Sequence, residues 1–439
     1  MAVKVENPEN VAESIQMAFR VAGTGRKGPV YVGFPRDFLE KKVNWQMTPP
    51  SQYRSDCRVR GDFREIERAA ELLIAAKKPA IMADDAAVWD DAQKVLLDLA
   101  ERMAIPVVAT EGNKGLIPDD HPLAMGVASI HGPHHAIYTL QNADVILALG
   151  CDFGEFTTGG FGNKVVPKGA KIIQVDIDPT ALGKVYPVTS GIAGNTDTVI
   201  ADLLEVLKER KVDRQPYRQN PWVKEVSRKK EEWENSVAPL RASGKVPIQR
   251  FRLFHHLRQA LPREAVIAGG SGGTHGWFEH AFSAYVHTTY MGLWHAIGAE
   301  FPESLGAKLA LPDKMVVLVV GDGGFMMHMQ EIATAAAYKI PVLCIVCHNS
   351  VYGNMHHTQH KRYGGRFIGT DLPIPPLADI ARDFGAYGEK VELPDQIIPA
   401  VKRALASNKF ALLDVITDAS PDNLSAPDTL STDGWQRKE

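Results

Sequence analysis

A short apolar run, Met315 to Val320, ends in Gly321-Asp322-Gly323-Gly324, and a second, Val342 to Cys347, ends in His348-Asn349-Ser350-Val351-Tyr352-Gly353. Each run reads as a buried strand delivering a polar side chain to its carboxyl end. The stretch between them, Phe325 to Tyr338, reads as a helix. The separation of Asp322 and Asn349, 349 − 322 = 27 residues, suits one strand-helix-strand crossover. Such a crossover sets the two strand ends side by side, at the edge where open α/β sheets bind ligands.

That edge suits a hard cation beside a phosphate. Gly323 and Gly324 leave backbone amides uncovered before a helix, so the positive helix end faces an anion. Asp322 offers a carboxylate oxygen, Asn349 an amide oxygen, and the following turn the Val351 carbonyl. An all-oxygen set with room for phosphate oxygens and water describes magnesium better than zinc or iron. Taken singly, the glycine stretch is also an ordinary strand-to-helix turn and Asn349 an Asx turn. Together, at crossover spacing, the two halves favour the metal reading.

On these residues the chain resembles the thiamine diphosphate enzymes of the acetolactate synthase and pyruvate decarboxylase superfamily, with His348-Asn349 where many relatives have two asparagines. Gln330 to Ala335 extends the resemblance, as does Gly298 to Ala310, where Glu300 stands in place of a usual glycine and Ser304 of an alanine. Residues 66 to 207 resemble the family's central domain through Ile105-Pro106-Val107, Gly150 and Val175-Asp176-Ile177-Asp178-Pro179. The resemblance implies thiamine diphosphate and Mg2+ as cofactors, with Gly321, Asp322, Gly323, Gly324, Asn349, Tyr352 and Gly353 around them. It also implies Ile297 as the apolar wedge that bends the cofactor. Gly270 to His275 follows a further strand, Ala265 to Ala268, and its Gly272 and Gly273 are a second candidate for holding the diphosphate.

At 439 residues, 45% hydrophobic and 23% charged, the chain can bury two or three cores of ordinary domain size. A net charge of −3 with no basic cluster argues against a nucleic-acid partner. No apolar run reaches membrane-spanning length, and Met1 to Asn10 is too polar for a secretory signal, so a cytoplasmic location is expected. Cys57, Cys151, Cys344 and Cys347 form no ligand cluster, and Cys344 and Cys347, within one expected strand, read as packing residues.

The expected fold class is α/β, with two doubly wound parallel-sheet domains preceded by a remnant of a third. Residues 1–45 hold one helix, Val11 to Ala22, and one buried strand within Gly28 to Pro35, which match the end of the family's pyrimidine-binding domain. A linker at 46–62, a central domain at 63–215, a charged helical connector at 216–246, a cofactor domain at 247–420 and a tail at 421–439 follow. Where the central domains of some relatives carry a glycine turn for a second nucleotide, this chain has Ala83-Asp84-Asp85-Ala86, whose carboxylates oppose a pyrophosphate.

In the family, a glutamate of the pyrimidine-binding domain activates the cofactor, and Glu6, Glu9 and Glu13 lie in the wrong context to serve. A separate small subunit carrying that domain, with self-association of this chain, is the expected arrangement; a fragment of a longer protein is the alternative. The expected function is a 2-oxo acid decarboxylase or carboligase of acetolactate synthase type acting on a small molecule. A 2-hydroxyacyl-CoA lyase and an inactive cofactor-binding subunit are the alternatives. Among the histidines, His356 and His357 are the first candidates for proton transfer, followed by His275 and His295 on loops flanking the cofactor channel.

Overall fold

The computed structural model describes residues 1–54, 57–212, 216–286, 290–292 and 296–424. A first pair of parallel strands, β1 (Ala2–Lys4) and β2 (Tyr31–Gly33), precedes two six-stranded parallel sheets. The middle sheet comprises β3 (Pro79–Ala83), β4 (Val107–Thr110), β5 (Ala124–Ala128), β6 (Val145–Leu149), β7 (Lys171–Asp176) and β8 (Ser190–Ala193), in the order β5-β4-β3-β6-β7-β8. The last sheet comprises β9 (Val266–Gly269), β10 (Tyr290–Gly292), β11 (Val316–Gly321), β12 (Leu343–His348), β13 (Tyr387–Val391) and β14 (Ala411–Ile416), in the order β10-β9-β11-β12-β14-β13. Helices cover both faces of each.

Burial on two faces explains the unbroken apolar strands. In β3, Ile81 and Ala83 enter one core while Ala80 and Met82 enter the core on the opposite face. In β12, Leu343, Ile345 and Cys347 face one core and Cys344 and Val346 the other. Cys344 and Cys347 therefore lie on opposite sides of one sheet, as free buried thiols. The covering helices are amphipathic. Phe63–Ala75 starts at Asp62, whose side chain accepts the Arg64 N–H at 2.9 Å, and buries Ile66, Ala69, Ala70 and Leu73 at helical spacing.

The charged connector is a single helix, Pro221–Arg241, capped by Asn220. Its first turns put Trp222 and Val226 into the middle-sheet core, where the Trp222 indole N–H donates to the Pro79 carbonyl at 2.9 Å. Its last turns put Val237 into the core of the last sheet. Lys230, between them, donates to the Asp119 and Ala124 carbonyls.

Two local expectations change. The helix expected from Phe325 to Tyr338 is divided into Asp322–Met327 and Glu331–Ala337, with the break at His328. Gly298, at φ +92°, lies against this break, where a β-carbon would stand 2.7 Å from His328 Nδ1. The strand expected to be buried near the amino terminus, β2, instead leaves Tyr31 67% exposed, and the helix Val11–Gly23 leaves Phe19 58% exposed. Among the described residues no second layer covers that apolar surface.

Removing the indole that joins connector to middle sheet tests this architecture. Trp222→Ala should cost about 3–5 kcal/mol, the usual penalty for emptying a large aromatic site. A markedly lowered unfolding midpoint is expected; an unchanged one would show that the contact carries no load.

Candidate functional site

Parallel pairing of β11 with β12, in register from Val317 opposite Leu343 to Gly321 opposite Cys347, brings Asp322 and Asn349 to one edge. Asp322 is 2% exposed. Its Oδ1 accepts the Gly323 N–H at 2.8 Å, and its Oδ2 accepts the N–H groups of Asn349 and Ser350 at 2.9 and 2.5 Å. Burial raises the carboxyl above its ordinary range, while these three amides pull the other way. The Asn349 side-chain oxygen accepts the Val351 N–H at 3.1 Å, so the Asx turn read from the sequence is present at this edge. His348 donates from Nδ1 to Asp414 at 2.7 Å, and Asp414 raises its basicity. This His348-Asp414 pair has no local signature in the sequence, because only the pairing of β12 with β14 creates it.

The glycines of this edge are required by close approach. A β-carbon on Gly323 would lie 2.7 Å from the Tyr352 ring, and one on Gly324 would lie 3.1 Å from Val320 and 3.6 Å from Ile297. Ile297 is 45% exposed, an apolar side chain standing over Gly324. In the loop after β9, Gly272 takes φ +69° and faces Asn354, while Gly273 lies against the Leu424 carbonyl. Gly353, at the start of the helix Gly353–Tyr363, also packs against Leu424.

Glu300 replaces a family glycine with a fully buried acid, and the structure shows what it does. Its Oε1 accepts both the N–H and the hydroxyl of Ser271, at 2.5 and 2.6 Å. That amide, in the second candidate phosphate loop, is thus occupied by a carboxylate. Glu300 Oε2 and the neighbouring Glu303 Oε2 are buried without hydrogen-bond partners. Burial, and then the Glu300 charge, push the Glu303 carboxyl up to about 7.

The candidate histidines are dispersed. His356 stacks on Phe367, with ring centroids 3.8 Å apart, and pairs through Nδ1 with the Thr370 hydroxyl at 3.0 Å. His357 donates from Nδ1 to the Pro421 carbonyl at 2.8 Å. His275 is 1% exposed, with Nε2 lying 3.4 Å from both Glu111 and Glu279. It meets Glu111 of the middle-sheet domain and Glu279 one turn further along its own helix. His295 lies outside the described residues.

A second cleft, of about 610 Å3, opens at the carboxyl edge of the middle sheet, beside the switch point between β3 and β6. Its rim is cationic, with Arg26, Lys27 and Arg58, and its floor carries Asp84, Asp152 and Asp176. Asp84 is pushed up to about 7 by burial and by the adjacent Asp85 charge. The close approach that glycine permits falls on Gly150, at the end of β6, whose β-carbon would lie 2.1 Å from that of Ala86.

Comparison with known proteins agrees with this geometry. Residues 66–203 match the family described as thiamine pyrophosphate enzyme, central domain, and residues 270–415 match thiamine pyrophosphate enzyme, C-terminal TPP binding domain. The probable acetolactate synthase large subunit of Methanocaldococcus jannaschii is 30% identical over 430 residues, covering 94% of this chain and 71% of that protein. The acetolactate synthase large subunit of Haemophilus influenzae is 30% identical over 425 residues, covering 95% and 73%. Acetolactate synthase isozyme 3 large subunit of Escherichia coli is 28% identical over 431 residues, covering 95% and 73%.

The Glu300-Glu303 pair generates a pH test. Because the folded Glu303 carboxyl titrates near 7 against an ordinary 4.5, the fold retains a proton that the unfolded chain releases. Stability therefore falls as pH rises through that window. Glu303→Gln should raise the unfolding midpoint at pH 8, by on the order of 1 kcal/mol after allowing for partial exposure, and leave it unchanged near pH 4. Equal midpoints at pH 8 would mean that water already solvates the acid.

Proposed function

The chain belongs to the thiamine pyrophosphate enzyme family, and from that premise we propose a thiamine diphosphate-dependent enzyme of acetolactate synthase type, which makes or breaks a carbon-carbon bond next to a carbonyl. The observation that carries this reading is the Asp322 carboxylate, buried and clasped by amides from two adjacent strand ends. The residues fit the cofactor and its ion: the donors are oxygens, and Gly323 beside them has no room for a side chain against the Tyr352 ring. A divalent cation would also supply the charge that a buried carboxylate lacks. Asp322, Asn349 and the Val351 carbonyl would hold Mg2+, and Gly321, Gly323, Gly324, Tyr352 and Gly353 would line the diphosphate. Gly272 and Gly273 close the opposite side.

When bound, thiamine diphosphate supplies a nucleophilic carbon and an electron sink. The chain's own residues do the rest. Ile297 offers the apolar surface against which the cofactor bends. His356 and His357, both held by partners on one ring nitrogen, move protons at the substrate side. The activating carboxylate comes from a pyrimidine-binding portion that covers the exposed apolar surface of Phe19 and Tyr31, either on a separate small subunit or on the same polypeptide. The relatives are named large subunits, which favours a chain that works with a smaller partner. Self-association places that portion against the cofactor edge. Among the described residues no helix is long and apolar enough to cross a membrane, and we place the enzyme in the cytoplasm.

Two experiments test the reading. Asp322→Ala should abolish retention of thiamine diphosphate and magnesium, and Asp322→Asn, which keeps the shape, should weaken it about 100-fold or more, some 2.7 kcal/mol. Retention unchanged in Asp322→Asn would remove the metal assignment. Supplying the pyrimidine-binding portion together with thiamine diphosphate and Mg2+ should yield decarboxylation or carboligation of 2-oxo acids. Activity only on 2-hydroxyacyl-CoA compounds would redirect the reading to a lyase, and none on either to an inactive subunit.

A further inference from the structure

Away from the Asp322 edge, three side chains meet where the middle and last sheets touch. Glu111 follows β4, and His275 and Glu279 stand one turn apart on the helix Gly273–Ala281. One ligand atom from each, His275 Nε2 and a carboxylate oxygen of Glu111 and of Glu279, lie within 4.8 Å of one another. His275 and Glu279 are each 1% exposed.

Charge and distance both bear on what this cluster holds. With a neutral ring and both carboxylates ionised it carries two negative charges, which burial disfavours and which raise the Glu111 carboxyl; a divalent ion neutralises both at once. Both His275 Nε2 to Oε1 distances are 3.4 Å, longer than a well-formed N–H···O bond, and a single N–H cannot point at two acceptors at once. Donors about 2.0–2.1 Å from a tetrahedral zinc ion stand about 3.3–3.4 Å apart, which matches both distances from His275 to the carboxylates, the three ligand atoms together lying within 4.8 Å of one another. The outer groups are in place too. Glu279 Oε1 accepts the Gly112 N–H at 3.1 Å and Oε2 accepts the Ser129 hydroxyl at 2.7 Å, so the carboxylate is held in orientation as metal-binding carboxylates are.

We propose that Glu111, His275 and Glu279 form a site for a divalent transition-metal ion, zinc being the best match, with three protein ligands and a fourth position for water or another oxygen donor. The His-x-x-x-Glu spacing presents two ligands from one helix face, and Glu111 brings the third from the other sheet domain. Its three ligands are distinct from Asp322 and Asn349, although Thr274, beside His275, packs on Gly321 at that edge, and the proposal does not rest on the function proposed above.

The test uses the full chain, stripped with a chelator and titrated with zinc alone, beside Glu111→Gln, Glu279→Gln and Asp322→Asn. Parent and Asp322→Asn should each bind one zinc ion tightly, and the two glutamine variants should lose about 100-fold in affinity. Equal binding by all four would assign the zinc to surface histidines and overturn the proposal. Cobalt(II) added to the parent gives a readout that needs no variant to fold. Intense ligand-field absorption of a four-coordinate ion is expected, and the weak spectrum of a six-coordinate surface ion would also overturn it.

Discussion

The clasp on Asp322 is the contact on which the arrangement of the last sheet depends. A carboxylate out of water is costly unless donors or a cation surround it, and three backbone N–H groups do part of that work. They come from the residue after Asp322 and from the two residues that end the neighbouring crossover. One side chain therefore fixes the spacing of two strand ends and the start of the helix Asp322–Met327 at the same time. What the amides leave unmet is charge, and this makes the edge receptive to a cation together with the anion that the cation bridges.

Buried or half-buried acids recur at the carboxyl edges of both sheets: Asp322 and Glu300, both buried, in one, and buried Asp176 with half-buried Asp84 in the other. Parallel sheets with crossover helices place helix starts along that edge, and the positive ends of those helices moderate the cost of negative side chains there. The acids are not equivalent. Asp322 is ringed by amides, Glu300 leans on Ser271, and Asp84 shares the Asn113 amide with Asp85. Glu300 has the further effect of occupying a backbone amide at the second glycine loop, so the two halves of the edge differ in how many donors they leave for an anion.

The crossover from β11 to β12 was legible because its strands are continuous Val, Ile and Leu runs ending in Asp and Asn. The helices Phe63–Ala75 and Gln93–Met103 bury apolar residues at helical spacing, Ile66, Ala69, Ala70 and Leu73 in one and Leu96, Leu99, Ala100 and Met103 in the other, a period visible in the sequence. Strands β5 (Ala-Met-Gly-Val-Ala) and β8 (Ser-Gly-Ile-Ala) have little local signal because alanine and glycine carry little strand preference, and β13 is an edge strand whose Glu389 and Lys390 resemble a loop. In the site, Asp322 and Asn349 announce themselves by position. The partners of Glu300, His275 and His348 do not, since each contact joins segments that only the assembled sheets bring together. Glu300 was marked by its departure from the family pattern, but its grip on Ser271 had no local sign.

The connector helix has a thermodynamic consequence. It roots one end in the core of the middle sheet through Trp222 and Val226 and the other in the core of the last sheet through Val237, with Lys230 tied to backbone carbonyls midway. Neither sheet can melt without pulling apolar side chains of this rod into water, which exposes its grip on the other. Two cores that look separable are thereby coupled into one cooperative unit, and rigid rotation of one sheet against the other is opposed along the whole length of the rod.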